Sequence, residues 1–138
     1  MVRYKSMKIT LNINHQLPFV QLRIWYRGHS LLMKNVLIDT GSASTIFKLD
    51  TVEEIGLIAE ADDTVGTISG VGGSEYVFLK KIDSIELNGL QIKDFTVDIG
   101  VMDYGIEIDG IIGTDFLMKV RGVVDLDKLL FESRLKEG

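Results

Sequence analysis

Alternating apolar and polar residues on either side of one tight turn constrain this chain most. In Phe19 to Tyr26, "FVQLRIWY", Val20, Leu22, Ile24 and Tyr26 alternate with Gln21, Arg23 and Trp25. That period of two marks a half-buried strand. Arg27-Gly28 supplies the turn, and "HSLLMKNVLID" returns as a second strand that delivers Asp39 at its end. "MKITLNI", Met7 to Ile13, reads as a further strand. Fourteen glycines and a single proline among 138 residues fit many short strands joined by tight turns better than a helical bundle.

The remaining segments extend this pattern. Two extended stretches between Thr64 and Ile85 flank "SGVGGSEY", whose glycines permit unusual backbone shapes and suggest a mobile hairpin tip. "IELNGLQIKDFTVDI" is a hairpin turning at Asn88-Gly89. Helical signals are few. In "LDTVEEIGL", Asp50 is placed as an N-cap with Glu53 three residues on, and Gly56 is a stop. In "IDGIIGTDFLMKV" an apolar pair ends at Gly113, and Thr114 is placed to cap a brief helix through Met118. "GVVDLDKLLFES" reads as two short strands about an Asp127-Lys128 turn, followed by a charged end, "ESRLKEG", expected to fray. The expectation is one all-β domain over 1–138, with its core at about 8–132.

Composition removes several classes of function. A formal net charge of −5 with no Lys/Arg cluster argues against nucleic acid, because binding phosphates needs a basic face that releases counterions. The absence of cysteine leaves no disulfide framework and no thiolate nucleophile or metal site, and suits a reducing cytoplasm. His15 and His29, the only two histidines, make a poor metal site, so neither a metal nor a cofactor is expected. "GVGG" lacks the spacing and the lysine of a phosphate-binding loop. No signal-peptide pattern opens the sequence and no window approaches a membrane span.

Chemistry concentrates at "VLIDTGSASTIF", Val36 to Phe47. An aspartate followed by Thr-Gly can simply end a strand at a turn. Here Val36, Leu37 and Ile38 carry Asp39 to the edge of the core, where a carboxylate must be hydrogen-bonded. Thr40, Ser42 and Ser44 add hydroxyls within the same loop, and Gly41 lets the backbone turn tightly enough to present amides. Taken alone, Ile111-Ile112-Gly113 in "DGIIGTDFL" reads as a core strand ending at a turn.

The ordered set resembles the aspartic proteases of the retroviral type, in their small single-lobe cellular and bacterial form. It comprises two hydrophobic residues before Asp-Thr-Gly-Ser, a glycine-rich flap, two hydrophobic residues before a glycine, and a short helix. The resemblance runs from Pro18 to about Phe131, and the closing "VDLDKLLF" looks like the final strand pair of those relatives. It implies a closed, barrel-like lobe with one or two short helices. It also implies that Asp39 is the catalytic carboxylate, that Thr40 braces its loop against a partner's, and that Gly41 permits close approach of substrate. Ser42 would hydrogen-bond the carboxylate and, by stabilising the anion, favour a more acidic working pH. Gly70, Val71, Gly72, Gly73 and Tyr76 would form a flap over an extended peptide, with Ile111, Ile112 and Gly113 packed beneath the loop. Tyr76 and Trp25 are otherwise read as packing residues.

Catalysis in that family uses two carboxylates that share a proton, one accepting a proton from the attacking water while the other polarises the scissile carbonyl. Only one Asp-Thr-Gly is present here, so the resemblance implies a homodimer in which Asp39 meets its own copy. The dimer is expected to rest on "MKITLNI" or on the active-site loops. The alternative is the same fold kept as a dimerising or peptide-binding module without turnover.

Overall fold

The computed structural model describes residues 4–70 and 73–136. Met7–Ile13 divides into β1 (Tyr4–Thr10) and β2 (Asn12–Asn14), and the alternating stretch forms β3 (Leu17–Tyr26) and β4 (His29–Ile38). Arg27 at φ 48° and Gly28 at φ 83° make the turn between β3 and β4, the paired left-handed geometry that matches strand twist. Then come β5 (Ile46–Lys48), α1 (Leu49–Val52), a 3-10 turn (Glu53–Ile55), β6 (Val65–Gly70), β7 (Gly73–Leu87) and β8 (Leu90–Gly100). β9 (Gly110–Ile112), α2 (Thr114–Lys119), β10 (Gly122–Asp125) and β11 (Leu130–Lys136) complete the chain.

The larger sheet has the order β2-β3-β4-β9-β5-β8-β7-β6, and an extra pairing of β3 with β7 joins its two sides. The strands β3, β4, β9, β5, β8 and β7 therefore form a ring, which removes most free edges. The first half of β7 pairs with β6 and its second half with β8, so the β6–β7 hairpin projects from this ring. Val20, Ile24, Val36, Phe47, Ile82, Leu87 and Ile99 are buried inside it. A smaller apolar cluster of Phe19, Ile46, Val77, Met102, Ile108 and Ile111 lies beside this core.

A second sheet, β1-β11-β10, is made by the two ends of the chain. Tyr4 stands opposite Lys136 and Thr10 opposite Leu130. The expected fraying of "ESRLKEG" is therefore corrected as far as Lys136. Phe131 and Ser133 are buried in alternation with more exposed Glu132 and Arg134, and the cross-strand bonds to β1 outweigh the solubility of the charges.

The helix starts also differ from expectation. α1 begins at Leu49, with Lys48 in the cap position and no side-chain cap, so Asp50 forms no capping box. Lys48 is still paired with Gly100 in the sheet, so β5 runs straight into the helix and leaves Asp50 in its first turn. Gly56 does end the segment, at φ 82°. Gly113 rather than Thr114 precedes α2, again without a side-chain cap. Among the described residues no helix is long and apolar enough to cross a membrane.

Candidate active site

Asp39 follows β4 directly, and its amide donates to the carbonyl of Ile112 at 3.0 Å. β4 runs parallel to β9, with Leu37 beside Ile111 and Ile38 beside Ile112. The strand that ends at Gly113 thus supports the residue where β4 stops. The chain then folds back: the Ser42 amide donates to the Asp39 carbonyl at 3.1 Å, and the Gly41 amide to Asp39 Oδ1 at 2.9 Å. Aspartate favours such turns because its side chain can accept from the backbone two residues on. A Cβ on Gly41 would stand 3.1 Å from Oδ1, so glycine keeps this approach unhindered. Thr40 and Gly41 are exposed, and Asp39 is half-buried.

Ser42 does not serve as expected. Its hydroxyl donates to the carbonyl of Ser44 at 2.8 Å, and the carboxylate of Asp39 takes its bond from the Gly41 amide instead. The ground for expecting an acidic shift from a Ser42 donor is therefore removed. The Ser42 carbonyl binds the far side of the site, accepting from the Thr114 amide at 2.8 Å and from its hydroxyl at 3.2 Å.

Beneath the loop lies a polar knot that local sequence patterns do not announce. Thr45 is fully buried; its amide and hydroxyl donate to the two oxygens of Asp115, at 3.1 and 2.8 Å. The same hydroxyl accepts the Gly113 amide at 3.2 Å. Asp115 also accepts the amide of Phe116 in α2 at 2.7 Å. A charged acceptor with several donors is among the stronger hydrogen-bonded arrangements, and this one joins the loop to β9 and α2. Ser44 extends it by donating to Asp98 of β8 at 2.6 Å. Gly113 sits where a Cβ would lie 2.6 Å from the carbonyl carbon of Ser44 and 2.8 Å from the Ser42 carbonyl oxygen. Only glycine fits between the crossing backbones.

Asp109 anchors the other end of β9. Its carboxylate accepts from the amides of Lys34 and Asn35 at 3.2 and 3.0 Å and from the Thr51 hydroxyl at 3.1 Å. The pair Asp109 and Asp115 therefore brackets Ile111-Ile112-Gly113. The only sequence signal for either was their position around that apolar pair.

Over this region stands the β6–β7 hairpin, in which Gly70 pairs with Gly73 and Thr67 with Tyr76. Val71 and Gly72, expected at its tip, lie outside the described residues. Tyr76, read as a packing residue, is instead 78% exposed, and Trp25 is half-buried. By the two-residue period of a strand, Glu75 and Val77 share the face opposite Tyr76. Val77 belongs to the small apolar cluster with Ile46 and Ile111. At the hairpin's base, nearly buried Lys80 pairs with Glu60 at 2.5 Å and with Asp63 at 2.9 Å, and Arg27 reaches Glu60 at 2.9 Å. The hydrogen bond from Lys80, then that from Arg27, lowers the Glu60 carboxyl to about 2. Among the described residues no cluster of His, Cys, Asp and Glu could hold a metal ion.

Residues 22–116 match the family profile described as aspartyl protease. The chain belongs to that family. The fold is similar to the crystal structure of a retropepsin-like aspartic protease from Rickettsia conorii, at 13% identity and a TM-score of 0.68, over 99% of this chain and 96% of that one. It is also similar to EIAV protease complexed with the inhibitor HBY-793, at 23% identity and a TM-score of 0.61, over 86% of this chain and all of that one. These likenesses show the single-lobe retropepsin-like fold. No curated protein matches the sequence.

Proposed function

We propose that the protein is an aspartic endopeptidase that works as a homodimer, with Asp39 of each copy supplying one carboxylate of the pair. The observation that carries this reading is the way Asp39 is held. Its amide is fixed by Ile112, one carboxylate oxygen is fixed by Gly41, and the loop rests on the Thr45–Asp115–Gly113 knot. Such support holds a reacting group in a narrow range of positions, which catalysis by orientation requires. Among the described residues the Gly41 amide is the one donor to that carboxylate, which leaves acceptor capacity toward the solvent side, where a second carboxylate and a water would stand.

In the dimer one carboxylate accepts a proton from water, which attacks the scissile carbonyl, while the protonated partner donates to the carbonyl oxygen. Collapse of the tetrahedral intermediate returns a proton to the leaving amine. The exposed Thr40 lies next to Asp39, where it would brace the two loops against each other. An extended peptide would lie under the β6–β7 hairpin, which is described as far as the Gly70–Gly73 pair, held by backbone hydrogen bonds. The small cluster of Ile46, Val77, Ile108 and Ile111 joins β5, β9 and the hairpin, and on this reading apolar side chains of the peptide would flank the cleaved bond.

Peptide cleavage between pH 4 and 7 by the natural sequence and by Asp39→Asn tests this, with sedimentation reporting the dimer. Cleavage that disappears in the variant while the dimer persists supports the reading. Equal residual cleavage by both proteins overturns it, and a folded dimer that binds peptide without cleaving it favours the non-catalytic module.

A further inference from the structure

Glu75 sits on the inner face of the β6–β7 hairpin and reaches the segment that connects β8 to β9. Its carboxylate accepts the phenolic hydroxyl of Tyr104 at 2.7 Å on Oε1 and the amide of Met102 at 3.3 Å on Oε2. Three features show that the contact is built into the surrounding fold. Met102 is fully buried in the small apolar cluster while its backbone takes the left-handed φ of 56°, an uncommon conformation for such a residue. Gly100 clears the approach, because a Cβ there would stand 3.1 Å from Val77 Cγ1 and Ile46 Cδ1 and 3.4 Å from Glu75 Oε1. Tyr104 is 46% exposed; its partial burial, then the bond to Glu75, holds the phenol above its ordinary range, so it stays a donor.

We infer that Glu75 and Tyr104 form a clasp that ties the hairpin to the β8–β9 segment, so that hairpin and cleft wall move together when an extended peptide is captured. The inference rests on the aspartic-endopeptidase reading for its role in capture, although the clasp itself is a property of the chain. The hairpin is held at two levels: Lys80 with Glu60 and Asp63 fixes its base, and Glu75 fixes the arm nearer the tip. Between these anchors, Val77 packs against the same segment through Met102 and Ile108. Glu75 is thus the described contact of the hairpin with this segment that lies farthest from its base. Glu75 and Tyr104 are positioning residues in this scheme, since they act through the hairpin rather than on the reacting atoms.

Amide hydrogen exchange on the full chain reads the clasp without requiring activity. Tyr104→Phe removes only the hydroxyl, Glu75→Ala removes both acceptor oxygens, and Glu75→Gln keeps one acceptor oxygen, enough for one of the two donors. Loss of the Tyr104 bond in the first variant, and of both bonds to Glu75 in the second, should speed exchange of the hairpin amides about fivefold or more. Their combination should add little, and Glu75→Gln should recover part of the protection. In peptide cleavage, Tyr104→Phe should raise KM about as much while kcat changes less than twofold, as expected when a grip common to ground and transition states is lost. Unchanged exchange, or fully additive effects in the double variant, would overturn the clasp even in an active protease. Unchanged KM with faster exchange would overturn its role in capture. Faster, non-additive exchange in a chain that cleaves nothing would keep the clasp and reject the protease reading instead.

Discussion

Asp39 hangs from Ile112: the amide of the one donates to the carbonyl of the other at 3.0 Å. The candidate carboxylate is therefore placed by a strand more than seventy positions away, and its precision depends on how firmly β9 is held.

Gly113→Ala should be the most disruptive small change in the site. The added methyl would enter the space between the Ser42 and Ser44 carbonyls, and overpacking of this kind destabilises by about 1–3 kcal/mol or more. Chemical denaturation checks the stability, and cleavage should fall further than stability does because the Asp39 loop is displaced. A variant as stable and as active as the natural sequence would contradict the close-approach argument.

Thr45→Val keeps the shape and deletes the hydroxyl. Asp115 then loses one donor and the Gly113 amide its acceptor in a buried position, which should destabilise the chain by about 1–3 kcal/mol. Ser42→Ala should be milder, since its hydroxyl serves only the Ser44 carbonyl among the described contacts. Comparing the pH–rate profiles of Ser42→Ala and the natural sequence checks this directly: their midpoints should coincide.

Asp109→Ala would free both ends of the bridge from β9 to β4 and α1, because three donors lose one acceptor. A loss of about 2–4 kcal/mol is expected for a charged acceptor with several partners. The expected signature in hydrogen exchange is weaker protection of Ile111 and Ile112, with the β1–β11 pairing unchanged.

The ion cluster at the hairpin base gives a pH dependence of definite sign. Glu60 is lowered to about 2 from 4.5, so its contribution is complete above about 4.5 and is lost as the pH falls toward 2. The Tm difference between the natural sequence and Glu60→Gln should be steady from pH 7 to about pH 5 and shrink below that. Because Arg27 is largely and Glu60 partly open to solvent, high salt should also narrow it. A gap that is independent of pH down to 2 would rule out this role for the carboxylate.

Most of the fold could be read locally. The alternation in β3 and β4, Arg27-Gly28 and Asn88-Gly89 each specify their own geometry within a few residues, and the structure shows the left-handed φ values at both turns. The apolar pair before Gly113 could likewise be seen, though not that the Ile112 carbonyl would carry Asp39. The connections Thr45–Asp115, Ser44–Asp98 and Glu75–Tyr104 could not be read, because each joins polar residues that lie far apart in the chain and have no periodic signature. The last strand is where the sequence pattern places it, but it runs farther than its charges suggest. The charges of "ESRLKEG" suggest a solvated end, whereas Phe131, Ser133 and Leu135 keep the strand period with Glu132 and Arg134 between them, and the pattern outweighs the composition.

The sheet β1-β11-β10 has a consequence for biogenesis. Of the described strands β1 is made before the others, yet its register partner is β11, the last of them to be made. Until then the hairpins of the ring can form around their own turns, while β1 waits as an unpaired edge. Joining the two is the longest loop closure in the described fold, a slow kind of event. The nascent chain should thus pass through a state whose barrel is largely assembled and whose terminal sheet is open, and only release of β11 lets it finish.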